Sequence, residues 1–240
     1  MELSKRLQAV ISLMPPCRTI CDVGCDHGYV AIRLLKERKA ERVIAMDVNQ
    51  GPLEQAKRNG SLYGVSEQMD FRLSDGLHQI SPGEADAFLC AGMGGRLIIR
   101  IMSEGREVME HMQGAVLQPQ SEIESVRKYI YESGWHIAKE DMVFEPDGIL
   151  PDEGKYYPMM YIKPGREELP DAAKLLYGPR LLKEHHPVLR QYLEFSLRLK
   201  KELLQNLRQK ATGSKAMERI GEVEKEISLI NTVLQSYNGF

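Results

Sequence analysis

Long apolar runs, net charge and paired cysteines are all scarce in this 240-residue chain. No apolar stretch approaches the roughly 20 residues that cross a bilayer. The N-terminus reads as an amphipathic helix without the apolar core of a signal peptide. A cytoplasmic protein with no membrane attachment is therefore expected. The formal net charge of -2 lacks the strongly basic balance of many nucleic-acid binders, so any RNA contact must come from a local patch. Cys17, Cys21, Cys25 and Cys90 form no CxxC pair, which argues against a disulfide framework or an iron-sulfur site and leaves ordinary reduced thiols. His185 and His186 are sequence neighbours whose side chains diverge, so no metal is expected there.

What is present suffices for a core. Hydrophobic residues make up 42% and charged residues 28%, as in folded globular proteins. Residues 3 to 14 place Leu3, Leu7, Val10, Ile11 and Met14 on one helical face, ended by Pro15 and Pro16. This helix should cover an edge or the mouth of the α/β region that begins at Thr19. There, short apolar strand-like segments alternate with helical ones, the order that builds a mostly parallel, doubly wound α/β sheet. The last two strand candidates, HIAKEDMVFE and YYPMMYI, lack a clear helix between them and predict an antiparallel pair at one edge.

After Lys163-Pro164-Gly165 the strand pattern stops, so a domain boundary is placed there: a Rossmann-like domain over 1–164 and a helical domain over 165–240. Met217, Ile220, Val223, Ile227, Ile230, Leu234 and Tyr237 form a heptad seam, with a looser one through Leu189, Leu193, Leu199, Leu203 and Leu207. The Ala-Thr-Gly-Ser between them predicts an antiparallel coiled-coil hairpin.

The strongest local signal is DVGCDHGY, Asp22 to Tyr29, at the end of the first strand candidate. Gly24 and Gly28 permit a tight turn and a close backbone approach, and the next helix offers unpaired N–H groups. A dinucleotide loop would read GxGxxG. Here an acid leads and Asp26 stands where a middle glycine is usual. Asp22 and Asp26 repel a pyrophosphate but attract the ammonium and sulfonium of S-adenosylmethionine. Asp47, with Val48 behind it, ends the second strand candidate, where an acid accepts the two ribose hydroxyls, or else caps the next helix as Asn49 also could. Asp75-Gly76 comes after the third strand candidate, where a carboxylate would face an adenine amino group or simply make a turn. The fourth ends in AGMGG, Ala91 to Gly95, whose Gly92, Met93 and Gly94 leave room for a flat substrate or merely supply flexibility.

The set DVGCDHGY, AMDVN, SDGL, AGMGG and LQPQ, together with YGPRLLKEHHPVL and the helical hairpin, resembles the bacterial tRNA (adenine-22-N1)-methyltransferase family over essentially the whole chain. The resemblance implies a class I methyltransferase domain that binds S-adenosylmethionine through Asp22, Gly24, Asp26, Gly28, Asp47, Val48, Asp75, Gly76 and Gly92. It implies tRNA as partner, with Met93, Gly94 and Gly95 beside the methyl-transfer site. The Asn/Asp-Pro-Pro-Tyr/Phe motif of many amino-group methyltransferases is replaced by AGMGG, so that analogy assigns no stacking partner for the target base.

Adenine N1 has a free lone pair, so its methylation needs alignment and desolvation more than a strong base. The base must leave its stack first. His27 is read either as a catalytic group holding or deprotonating the base, or as a turn residue touching the cofactor. Tyr29 either stacks on the base or packs into its helix. Arg96 and Arg100 are candidates for RNA phosphates. Arg190, Arg198, Lys200, Lys201, Arg208, Lys210 and Lys215 make the hairpin either an RNA grip or a charged self-association surface, in a monomer or weak homodimer. Competing readings are a class I methyltransferase of another RNA or a small molecule, a nucleotide-dependent oxidoreductase, and a non-catalytic RNA-binding scaffold.

Overall fold

The computed structural model describes residues 3–146, 154–210 and 213–237. Helix α1 (Lys5–Leu13) is followed by β1 (Cys17–Val23), α2 (Tyr29–Lys36), β2 (Ala40–Asp47), α3 (Gln50–Leu62), a single 3-10 turn, and β3 (Met69–Leu73). Then come β4 (Ala87–Met93), α4 (Gly95–Glu104), the one-turn α5 (Arg106–Met109), β5 (Gly114–Pro119), α6 (Ile123–Glu132), β6 (Trp135–Pro146) and β7 (Gly154–Pro164). The expected alternation forms one seven-stranded sheet of order β3-β2-β1-β4-β5-β7-β6. The first five strands pair in parallel, and β7 lies antiparallel to both β5 and β6.

Helices cover both faces of the sheet, which is why strands such as β5 are buried along their whole length. One face packs Phe88, Ile98, Leu117 and Ile130; the other packs Ile11, Met14, Ile20, Ile32 and Leu34. Ser4 caps α1 by accepting from the Leu7 N–H at 3.4 Å, and α1 buries Val10 and Ile11. Because the parallel strands all point one way, the loops after β1, β2, β3 and β4 open on one rim, where such sheets bind ligands.

The first compact unit runs through Leu176, past the composition change at Lys163-Pro164-Gly165. Its last helix is α7 (Ala172–Tyr177). Buried Arg127 of α6 explains this extent. Its Nε donates to Glu140 of β6 at 2.9 Å, and its Nη1 donates to the carbonyls of Leu175 and Leu176 at 3.0 and 2.8 Å. One guanidinium thereby ties the sheet edge to the end of α7.

The second unit, from Tyr177, contains α8 (Pro179–Lys183), α9 (Pro187–Lys210) and α10 (Ser214–Tyr237). Lys200 pairs with Glu226, and Arg208 pairs with Glu224 at 2.6 Å. Those partners make α9 and α10 run antiparallel, as the Ala-Thr-Gly-Ser between the seams predicted. Burial departs from the heptad reading. Leu189, Leu193, Ile220, Val223, Ile230 and Val233 are buried, whereas Leu199, Leu203 and Met217 are exposed. No helix among the described residues is long and apolar enough to cross a membrane.

Arg127→Met should destabilise the protein by about 3–5 kcal/mol, because it removes the cationic partner of the buried Glu140 carboxylate and the donor to two carbonyls. Urea denaturation measures the loss. Arg127→Met combined with Glu140→Leu should recover part of it; equal losses in the single and double variants would refute the pairing as its source.

Candidate functional site

The turn after β1 is shaped by three left-handed residues within five: Gly24 (φ 72°), Asp26 (φ 50°) and Gly28 (φ 72°). Asp26 keeps the left-handed backbone usual for a glycine, a region that aspartate tolerates. A Cβ at Gly28 would stand 2.8 Å from that of Ala56, so α3 packs directly on the turn. The Met46 carbonyl accepts from the Gly24 and Cys25 N–H groups, both at 2.8 Å. Asn59 of α3, 5% exposed, donates from Nδ2 to the His27 carbonyl at 2.9 Å. The loop is therefore pinned from β2 and from α3.

Asp22 is the electrostatic centre of the rim. It is 2% exposed, takes the Ala31 N–H, and its Oδ2 is buried without a hydrogen-bond partner. Burial pushes its carboxyl up to about 7; the Ala31 N–H pulls the other way, and Asp47 and Asp26 add like-charge repulsion. Asp47 Oδ1 accepts from the Asn49 N–H at 3.0 Å and its Oδ2 from the Asp26 N–H at 3.3 Å. Asp47 thus braces the loops, and neither it nor Asn49 makes a side-chain cap on α3.

One cleft is lined by Asp22, Gly24, Cys25, Asp26, His27, Tyr29, Val30 and Ala91, together with Arg6 and Leu7 of α1. The structure therefore gathers the expected first loop and part of AGMGG. Met93 also arrives there, since its Cε fills the place a Gly24 Cβ would take. A bulge between Ala91 and Met93 leaves Gly92 at φ 79°, with its N–H donated to Gln118 Oε1 at 3.0 Å. Gly94 begins α4 without a side-chain cap, and the Gly95 N–H goes to Ser121 Oγ at 3.2 Å.

His27 and Tyr29 stand side by side with ring centroids 6.0 Å apart. His27 Nε2 is 3.5 Å from Asp26 Oδ1. Tyr29 is 37% exposed, so its ring is not spent on the core of α2. Val48 and Leu73, at adjacent strand ends, are 57% and 58% exposed; Gly76 has φ 59°.

Arg100 grips both oxygens of Asp75 at 2.9 and 2.8 Å and holds that carboxyl below the usual range. Arg96 pairs with Glu122 at 2.9 Å. Both expected phosphate contacts are thus engaged by acids of the domain itself. Burial raises the thiols of Cys21, Cys25 and Cys90, so these cysteines are poor nucleophiles at neutral pH.

Pattern reading missed Arg6, Asn59 and Gln118. Arg6 donates from Nη1 to Gln118 Oε1 at 2.8 Å, and its guanidinium lies 5.5 Å from the Tyr157 ring centroid. Gln118 is fully buried. The only available signal was LQPQ itself, a glutamine inside an otherwise apolar strand.

A seven-stranded sheet with β7 inserted antiparallel beside β5, and an acid-led glycine turn after β1, define a class I methyltransferase domain. A family model described as "Methyltransferase domain" matches residues 3–160. The chain is 30% identical to the tRNA (adenine(22)-N(1))-methyltransferase of Bacillus subtilis, over 98% of each. The crystal structure of the B. subtilis M1A22 tRNA methyltransferase superposes with a TM-score of 0.81 at 28% identity, covering 97% of this chain and 99% of that one. A candidate tRNA (m1A22) methyltransferase of Streptococcus pneumoniae, crystallised with S-adenosyl-L-methionine, gives 0.83 at 29% identity over 97% and 100%. The chain belongs to the tRNA (adenine(22)-N(1))-methyltransferase family.

Folding raises the Asp22 carboxyl, so the native state binds the proton more tightly than the unfolded chain. The stability Asp22 contributes is complete at acid pH and is lost as pH rises through about 7. The stability of Asp22→Asn relative to wild type should therefore improve as pH rises from 5 to about 7, by about 1.4 kcal/mol per pH unit, and level off between there and pH 9. Urea denaturation across that range measures it, and a pH-independent difference would contradict the assignment.

Proposed function

We infer that this protein transfers a methyl group from S-adenosylmethionine to N1 of adenine 22 in tRNA. The observation that carries the reading is the buried, unpartnered Oδ2 of Asp22 in the cleft beside Gly24 and Ala91. Such an oxygen calls for a donor from outside the chain, and a methionine-type ammonium supplies one. The family relationship gives the acceptor.

The rim residues fit the rest of that cofactor. Asp47 has lone pairs left for ribose hydroxyls after its two N–H contacts. Exposed Val48 and Leu73 offer apolar faces to the adenine ring. Asp75 faces the adenine amino group only by sharing its carboxylate with Arg100. When bound, S-adenosylmethionine supplies an electrophilic methyl on a sulfonium.

The chain's own residues then do the aligning. Gly92, Met93 and Gly94 leave the end of β4 open for the flat target base beside the first loop. Tyr29 stacks on the extruded base. His27, held near Asp26, accepts from the exocyclic amino group or takes its proton once N1 has become quaternary and the ring cationic. Water exclusion and orientation supply most of the rate, because N1 is already nucleophilic.

The helical domain from residue 165 grips tRNA, and cytoplasmic location follows from that substrate. From Tyr177 onward there are eleven Lys/Arg against seven Asp/Glu, in a chain with 32 against 34 in all. Lys200, Arg208 and Arg190 are paired with Glu226, Glu224 and Glu194. Lys201 and Lys215 have no carboxylate partner among the described residues, so they carry more of the grip.

Two outcomes test this reading. Unmodified tRNA transcripts with adenine at position 22 should yield 1-methyladenosine by nucleoside mass spectrometry, and transcripts with guanine there should not; methylation elsewhere or of neither would refute the acceptor. Lys201→Glu with Lys215→Glu should lower kcat/KM for tRNA about tenfold at low salt and flatten its salt dependence, leaving cofactor affinity unchanged. An unchanged tRNA dependence would remove the hairpin from the contact surface.

A further inference from the structure

We propose that Arg6 seats the carboxylate of the cofactor's amino-acid end, so that Asp22 and Arg6 together read the zwitterion of its methionine portion. The proposal rests on S-adenosylmethionine as the methyl donor. Arg6 is half-buried and lines the same cleft as Asp22 and Gly24. Its guanidinium is oriented by two neutral partners, Gln118 Oε1 and the Tyr157 ring. Glu145 is close by, but its Oε1 accepts from the Arg6 backbone N–H at 2.7 Å. Among the described residues no carboxylate lies within 4.0 Å of the Arg6 guanidinium.

The contrast with the other arginines of the rim is chemical. Arg96 and Arg100 have their charges met by Glu122 and Asp75. Arg6 alone of these three keeps its charge uncompensated, in a partly desolvated place where an oxyanion gains most from it. The same cleft holds a buried carboxylate oxygen that lacks a donor. An unmet anion and an unmet cation lining one cleft complement a ligand group that carries ammonium and carboxylate on a single carbon.

Two neighbours keep the seat in place. A Cβ at Gly92 would come within 3.3 Å of Arg6 Nη1, so the glycine leaves the guanidinium space over the end of β4. Gln118 holds the Gly92 N–H and Arg6 Nη1 on the same oxygen, which links the position of the guanidinium to the bulge that shapes the substrate side. Helix α1 thereby becomes part of the cofactor site, and Arg6 is a binding residue of it.

A phosphate of the RNA offers similar oxyanion chemistry, and calorimetry separates the two sources. S-adenosylhomocysteine and 5′-methylthioadenosine, which lacks the amino-acid end, are titrated into the full-length wild type, Arg6→Met and Arg6→Lys. Arg6→Met should weaken S-adenosylhomocysteine about ten- to a hundredfold and leave 5′-methylthioadenosine within twofold, with Arg6→Lys intermediate. Retained methylthioadenosine binding also shows that the variant is folded.

Equal S-adenosylhomocysteine affinity in Arg6→Met and wild type overturns the proposal. If the salt slope of tRNA methylation then falls by about one, the guanidinium serves an RNA phosphate instead. Failure of the wild type to bind S-adenosylhomocysteine would overturn the methyl-donor reading itself, and the proposal with it.

Discussion

A carboxylate buried at the end of the central strand, with one oxygen left unpartnered, is the constraint around which the rest of this molecule is arranged. Asp22 receives the Ala31 N–H and nothing more. In an apolar interior such a group is expensive to ionise, and the sheet tolerates it because the surrounding rim is fixed by other bonds. Met46 holds the backbone of the turn, Asn59 holds the His27 carbonyl, and Asp47 holds the Asp26 N–H. The turn therefore cannot collapse to satisfy Asp22 from within. On the proposed function, a ligand that brings a cation would supply the missing donor to this oxygen.

The strand order was readable because each apolar segment is short and each helix between them is amphipathic, so alternation alone dictates a parallel sheet. The antiparallel ending was readable from the missing helix between β6 and β7. The three strand-end acids stood out for the same reason. A carboxylate at or just past the end of an apolar strand breaks the apolar pattern, and Asp22, Asp47 and Asp75 all do so. Their burial did not follow from the pattern. Asp22 is buried and short of a partner, whereas Asp75 is exposed and held by Arg100, a difference set by what packs from α2 and α4.

Arg6 and Asn59 lay beyond pattern reading because their contacts join distant parts of the chain. Arg6 meets Gln118 across 112 positions and Asn59 meets His27 across 32. In the α9–α10 hairpin the Ala-Thr-Gly-Ser segment gave the pairing direction, and the seams overstated the burial. Leu199, Leu203 and Met217 keep the spacing yet remain exposed, and Val233, outside the seam, is buried. A heptad pattern records which side of a helix is apolar, not how far along that side another surface extends.

The bond network at Gln118 links helix α1 to the end of β4 more directly than sequence order suggests. Its Oε1 receives both the Gly92 N–H, at the end of β4 proposed to border the target base, and Arg6 Nη1, on the helix proposed to close the cofactor side. Its Nε2 is anchored on the Pro119 carbonyl at 3.1 Å, so the amide cannot turn over without losing both partners. A rigid, fully buried amide of this kind fixes distances between two binding surfaces. For a direct displacement on carbon the line from sulfur through methyl to N1 must be straight and short, and no acid, base or metal substitutes for that alignment. Under the proposed reading, alignment would rest in part on backbone positions such as Gly92 and on the amide that holds them, which fits an AGMGG segment with so few polar side chains.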